Sequence, residues 1–358
     1  MPACLSGEES LSRRRFPMKN IRINEHTIGR GFPAFVIAEI GINHEGDIHM
    51  ARELVSAAKE TGADAVKFQV VFADTLYPEK ERVGWQKDFY ELIKKIELDI
   101  DAYAGIKELS DALGLVFFGS FNDAKGIDIL ARLNSGAYKI ASTQMNNLPL
   151  VHHAAQKGRP VLVSTGMASL GEIDACIQTV RQTGNDNIAL LHCVSNYPMK
   201  PEEANLAVMD TLQFIFKAPT GFSDHSTDGL ASIAAVARGA CLIERHFSID
   251  PKRKSFDHHL SSGPAQLKRL IDDIRIVEKT IGSGEKTVAE SEKQNSKLYR
   301  VSLCAAEDIE KGAVITESMI SASRPASGLN PVCWRGLIGK KIKRSLKAGG
   351  FFKWSDLD

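Results

Sequence analysis

The 358-residue chain contains no run of about 18 apolar residues, so it offers no membrane-spanning helix. It also lacks an excess of either charge: 45 Lys and Arg stand against 44 Asp and Glu, a formal net charge of +1. Nucleic acid and anionic membranes are therefore not expected as partners. Cysteine is sparse. Cys4, Cys176, Cys193, Cys241, Cys304 and Cys333 form no CxxC pair and no zinc-finger spacing, which in so long a chain predicts reduced thiols and a cytoplasmic location. The opening MPACLSGEESLSRRRFPMKN has arginines with no apolar segment after them, unlike a secretory signal, and reads as a mobile tail over 1–20. A hydrophobic content of 43% and a charged content of 25% are those of an ordinary globular protein.

What is present is a repeating alternation. Short apolar runs fall at 35–43, 65–71, 114–121, 137–142, 160–167, 188–195, 219–225 and 241–248, separated by amphipathic stretches such as DIHMARELVSAAKETG. Several of those stretches end in Gly, as helices often do. PAQLKRLIDDIRIVEKTIGSG is apolar at Leu267, Leu270, Ile271, Ile274 and Val277, a helical stripe. Eight strand–helix units within residues 21–284 predict an α/β protein built on a (β/α)8 TIM barrel. The alternative is an open doubly wound sheet, but no GxGxxG follows the first strand. From 282 the chain turns polar and loses its period, so 285–297 reads as a linker. Residues 298–358 read as a small β-rich module, in which SLCAAEDIEKGAVITESMI is partly echoed by IKRSLKAGGFFKWSDL. So thin a core would normally lean on something larger.

In such barrels the chemistry lies at the C-terminal ends of the strands, and the unusual residues fall there. Glu39 interrupts the first apolar run; Lys67 and Gln69 lie on the second, Ser120 ends the third, and Lys139, Ser142 and Gln144 end the fourth. Ser164, Ser195 and Tyr197, Ser223 and His225, then Glu244 and His246 follow on the rest. A lone strand lysine or serine has an ordinary structural reading, Lys67 paired with Glu39 among them. Two lysines and several hydroxyls converging on one mouth suit a dianionic phosphate or a phosphate–carboxylate compound. His225 and His246 end consecutive strands, which lie about 4.8 Å apart in a sheet, so they can share one metal ion. Oxygen ligands or water would complete a Mn- or Mg-like site rather than a closed zinc site. Of the other histidines, His152 and His153 read as solvated, His192 as packed, and His258 and His259 as loop residues.

AEIGINHEGD, GADAVKFQ, YKIAS, PVLVSTGM, CVSNYPMKPEEANL, GFSDHS and ERHFS, in this order, resemble the sialic acid (N-acetylneuraminate) synthase family. The C-terminal module resembles that family's antifreeze-like (SAF) domain. The resemblance implies condensation of phosphoenolpyruvate (PEP) with the open-chain aldehyde of an N-acetylated hexosamine such as N-acetylmannosamine, giving a nine-carbon 2-keto acid and phosphate. It implies a divalent ion on His225 and His246, Mn2+ first, with Mg2+ or Co2+ as alternatives. PEP would be cradled by Lys67, Ser120, Lys139, Ser142, Ser164, Ser195 and Ser223. Gln69, Gln144, Tyr197 and Asp257 would meet the sugar. Arg324, in SASRPASG, would cap the N-acetyl group in the partner's barrel, making a domain-swapped homodimer. Glu39, kept ionised by the metal and the two lysines, would orient or deprotonate the water that attacks C2.

The chain departs from the family pattern at three places. Ser120 stands where many relatives have Thr. Gln144 stands where many have a sugar-contacting Glu. The segment FADTLYPEKERVGWQKDF, which helps frame the pocket, is shorter. These departures keep legionaminic and pseudaminic acid synthases, which use 2,4-diacetamido sugars, as alternatives. A carbohydrate- or ice-binding protein is the non-enzymatic rival, and a class I aldolase with Lys139 as Schiff base the enzymatic one.

Overall fold

A hairpin precedes the barrel. In the computed structural model, which describes residues 19–358, β1 (Ile21–Ile23) and β2 (His26–Ile28) pair antiparallel. The tail read over 1–20 falls almost wholly outside the described residues. The barrel strands are β3 (Phe35–Gly41), β4 (Ala65–Val70), β5 (Val116–Phe121), β6 (Tyr138–Ile140), β7 (Val161–Ser164), β8 (Ile188–Cys193), β9 (Thr220–Asp224) and β10 (Leu242–His246). They close into a parallel ring in which β10 returns to β3.

Side chains alternate in and out along each strand. The outward set, including Val36, Ala38, Val66, Phe68, Phe117, Val161, Leu190 and Ile243, packs beneath the helices in the main core. The inward set divides into two layers. Toward the N-terminal ends Phe35, Ile37, Ala65, Val116, Phe118, Leu162, Leu191 and Leu242 pack with Ile21, Ile23 and Ile28 of the hairpin. The hairpin therefore stoppers the barrel floor, and burial of each isoleucine contributes roughly 1.5–3 kcal/mol. Toward the C-terminal ends the same inward positions become Glu39, Lys67, Gln69, Ser120, Lys139, Ser164, Cys193, Ser223, Glu244 and His246. One strand period thus supplies an apolar floor and a polar mouth.

Caps set the helices that space the strands. Asp47 accepts the backbone N–H groups of His49 and Met50 to start helix Ile48–Thr61, and Gly62 ends it at φ 86°. Asp99 and Asp123 cap Ile100–Ala112 and Ala124–Arg132 in the same way. No described helix is long and apolar enough to cross a membrane. The five described cysteines form no disulfide.

Residues 285–358 form a second compact unit. It contains the small β-rich module that the sequence predicts. Its only paired strands among the described residues are β11 (Ser302–Ala305) and β12 (Ile320–Ser323), supplemented by isolated bridges. The two echoed segments meet through such bridges. Ile309 and Leu346 exchange both backbone hydrogen bonds at 2.8 Å, and Ile309, Ile315, Ile342, Leu346, Phe352 and Leu357 form one small core. The pattern marks apolar contact points, and single bridges supply them without extended ladders. Within the segment read as a linker, and running two residues past it, Glu292–Tyr299 is helical. None of its residues is buried, so it carries no apolar stripe from which a period could be read.

Candidate active site

The register of the ring decides which polar residues meet. Glu39 lies opposite Lys67, Gln69 opposite Ser120, Ser120 opposite Lys139, and Glu244 opposite Ser223. Lys67 Nζ is 3.3 Å from Glu39 Oε1 and 3.1 Å from Glu244 Oε1. Lys139 Nζ is 3.6 Å from the same Glu244 oxygen and donates to Ser164 Oγ at 2.7 Å. Ser223 Oγ donates to Glu244 Oε1 at 3.0 Å, and Gln69 Nε2 to Glu39 Oε1 at 3.2 Å. None of Glu39, Lys67, Lys139 and Glu244 is more than 5% exposed.

At this depth the carboxylates divide the positive charge unequally. Burial raises the Glu39 carboxyl to about 7; Lys67 opposes the rise, and Glu244 adds to it. Burial acts on Glu244 too, but Lys139 and Lys67 overcome it and hold that carboxyl near 2. Burial lowers Lys139, whereas on Lys67 the two carboxylates outweigh burial and raise it. The difference follows from contact, since Lys67 touches both acids and Lys139 only approaches one. Without a metal, the charge of the lysines is matched mainly by Glu244 rather than by Glu39. Glu244 stands among the polar residues at the strand ends but carries no role in the sequence reading, although the same signal that exposes Glu39, an acid inside an apolar strand, marks it.

A second cluster surrounds Gly166. Its N–H donates to Ser142 Oγ at 3.1 Å, and Ser142 Oγ lies 3.1 Å from Cys193 Sγ. A Cβ on Gly166 would come within 2.3 Å of Ser195 Oγ, 2.8 Å of Ser142 Oγ and 2.9 Å of Cys193 Sγ. Three strand ends thus bring small polar groups around a position where only glycine fits. Gly166 and Cys193 are additions to the sequence reading. The glycine directly after Ser164 and Thr165 was the available sign.

Beside these lie the histidines, their ring centroids 5.7 Å apart. His225 Nδ1 donates to the Val194 carbonyl at 2.7 Å, which leaves the lone pair on Nε2. Burial pushes both imidazoles below their ordinary value and so keeps them neutral. On the outer side of the same strands Arg245 Nη1 lies 3.1 Å from Asp224, and Ser262 and Ser232 bind the pair from either end. Because neighbouring residues alternate faces, this buried pair sets the register that makes the histidines adjacent. Tyr197 stacks on His225 at 4.2 Å. Asp257 Oδ2 is 3.7 Å from His246 Nδ1, one of the buried atoms without a hydrogen-bond partner, as are Glu39 Oε2 and Glu244 Oε2. Among the described residues no three His, Cys, Asp or Glu gather as a metal-binding set. Two neutral imidazoles with an uncommitted lone pair fit an ion that completes its shell with water or substrate oxygen.

Two sequence-derived site residues stand apart from these contacts. Gln144, one turn beyond β6, accepts from Asn147 Nδ2 at 3.1 Å. Arg324 lies in the second unit, exposed, with its guanidinium 5.7 Å from the Tyr299 ring. Among the remaining histidines, His192 is buried and meets the Ala204 carbonyl, while His153 pairs with Asp128.

Residues 54–286 match the NeuB family, and residues 300–358 match the SAF domain. The chain belongs to the NeuB family. It is 38% identical to an N,N'-diacetyllegionaminic acid synthase of Legionella pneumophila, over 92% of this chain and 96% of that one. It is 33% identical to a human N-acetylneuraminate-9-phosphate synthase, over 88% and 90% of the two chains. A crystal structure of a sialic acid synthetase from Leptospira borgpetersenii, in complex with citrate, aligns with a TM-score of 0.72 at 32% identity, covering 78% of this chain and 95% of that one. The (β/α)8 barrel with its C-terminal SAF domain is the architecture of a NeuB-family synthase.

Proposed function

We propose that this NeuB-family enzyme condenses PEP with an N-acetylated hexosamine of the N-acetylmannosamine type, releasing phosphate and a nine-carbon 2-keto sugar acid. The observation that carries the reading is the pair of buried lysines sharing Glu244 next to the hydroxyl cluster at Gly166. Lys139 and Lys67 are the cations that meet the anionic oxygens of PEP, while Ser142, Ser164, Ser195, Ser223 and Ser120 offer hydroxyls to them. Gln69, Tyr197 and Asp257 orient the sugar. A divalent ion, Mn2+ first, held by His225 and His246, would supply Lewis-acid polarisation of the aldehyde oxygen. C3 of PEP bonds to the aldehyde carbon as the C=O π bond opens and its oxygen takes a proton from solvent. A water oxygen adds at C2, and the bond from C2 to the phosphate oxygen breaks as the new C2 hydroxyl gives its proton to the leaving phosphate, leaving the ketone. Glu39, raised to about 7 by burial, takes the water's proton near neutral pH.

A second reading, a 2,4-diacetamido-dideoxy hexose as substrate, is favoured by Gln144, whose amide replaces a carboxylate. The 38% identity to the legionaminic acid synthase favours it too. Phosphate release from PEP across both sugar classes decides between them. Phosphate release by a metal-stripped sample at full rate would defeat the metal assignment, and borohydride trapping of a Lys139 imine would establish the aldolase instead.

We further propose a homodimer in which Arg324 of each SAF domain acts on the partner's barrel, which would explain why so thin a module persists.

A further inference from the structure

The loop between β10 and helix Pro264–Ile281 carries Asp257, whose carbonyl accepts from Ser261 Oγ at 2.6 Å while Ser261 Oγ accepts from Asn43 Nδ2 at 3.0 Å. A separate tie is made by side chains alone. Three of its side chains converge on a single oxygen of Glu45, which follows β3. Ser255 Oγ donates at 2.8 Å, His258 Nε2 at 3.0 Å and Arg253 Nη1 at 3.2 Å. Because the carboxylate only accepts, Nε2 carries the proton, and His258 Nδ1 accepts from Ser248 Oγ at 2.6 Å. His258 is 0% exposed, so its bond to Glu45 is shielded on one side, whereas the Arg253–Glu45 pair is 38% and 26% exposed and solvent weakens it.

Glu45 and one loop residue, Phe256, are held against their backbone preference. Glu45 and Phe256 have φ of 52° and 51°, the left-handed region that side-chain-bearing residues adopt at a cost. On the far side Phe256 packs against Ile42, Val71, Ala73, Ile93 and Ile96. Asp257 lies between these two anchors, directed at His246. Barrel closure does not require this arrangement, since the β10–β3 ladder is complete from Leu242 to His246.

We propose that Glu45 is a positioning residue: it latches the 253–258 loop and thereby fixes Asp257 on the sugar side of the mouth. The inference rests on Asp257 as a sugar contact and predicts that the latch governs sugar affinity separately from PEP affinity.

The test compares full-length wild type with Glu45→Ala and Glu45→Gln. Limited trypsin digestion reads the loop itself, because Lys252, Arg253 and Lys254 lie within it and Lys252 and Lys254 are exposed. Cleavage there should be at least tenfold faster in Glu45→Ala, and Glu45→Gln, which keeps an acceptor oxygen, should fall between the two. Phosphate-release kinetics with N-acetylmannosamine should show at least a tenfold rise in sugar KM, with PEP KM within twofold. An unchanged tryptic rate would overturn the latch, and equal rises in both KM values would overturn its link to Asp257. If wild type released no phosphate with any hexosamine, the functional reading would fall, and digestion would still decide the latch.

Discussion

Gly166→Ala places one methyl group into the proposed phosphate cradle. Gly166 does not occupy the left-handed region, so alanine fits the backbone and only space opposes it. The new Cβ would lie 2.3 Å from Ser195 Oγ and 2.8 Å from Ser142 Oγ, below any real contact distance. These two and Cys193 Sγ, 2.9 Å away, are ends of rotatable side chains, so the three turn away rather than the barrel unfolding. Stability should fall by roughly 1–3 kcal/mol, the cost of forcing a methyl group into a packed site, offset in part by about 0.4–1 kcal/mol from a less flexible unfolded chain. Ligand binding has no such compensation. A hydrogen bond to a charged group is worth about 1.5–3 kcal/mol, so losing one hydroxyl should raise the KM for PEP by about 10- to 150-fold. The assay is phosphate release against PEP concentration, with thermal melting as the control for folding. An unchanged KM for PEP in a folded variant would refute the placement of PEP at Ser142 and Ser195.

Glu39→Gln should retain PEP binding and lose most of kcat, because an amide cannot take the water's proton; wild-type kcat would reduce Glu39 to a partner of Lys67. The same variant has a pH signature. Burial raises the Glu39 carboxyl from 4.5 to about 7, so the stabilisation from its bound proton is complete below pH 4.5 and lost as pH rises through 7. Without metal or substrate, the Tm of Glu39→Gln should climb relative to wild type across that window, and a constant difference would contradict the shift. His246→Ala should keep its melting temperature near wild type and lose both activity and the Mn2+ uptake seen by calorimetry; retained uptake would place the ion elsewhere. Equal mixtures of Glu39→Ala and Arg324→Ala, under conditions that exchange subunits, should recover about a quarter of wild-type activity, because half the dimers are hybrids with one intact site. No recovery despite demonstrated exchange would exclude capping in trans.

Eight apolar runs, and the polar residues at their C-terminal ends, were legible in the sequence because both follow from local rules. A buried parallel strand must be apolar, and a barrel's chemistry lies where its strands end. The adjacency of His225 and His246 was legible for the same reason, since consecutive strands of a barrel are neighbours. Segments without a distinctive period were not legible: the exposed helix Glu292–Tyr299 has no stripe, and the β1–β2 hairpin is too short to show one. What only the tertiary structure decided is how the charges are shared. Glu39 and Glu244 look alike in sequence, each an acid in an apolar strand. Closure of the ring brings Lys67 against both and Lys139 against Glu244 alone, which separates one carboxyl near 2 from another near 7. The meeting of Gly166 with Ser142 and Ser195, and of Glu45 with His258, likewise joins residues far apart along the chain. Strand period is a local property, whereas electrostatic partnership falls steeply with distance in space, and those distances exist only once the barrel has closed.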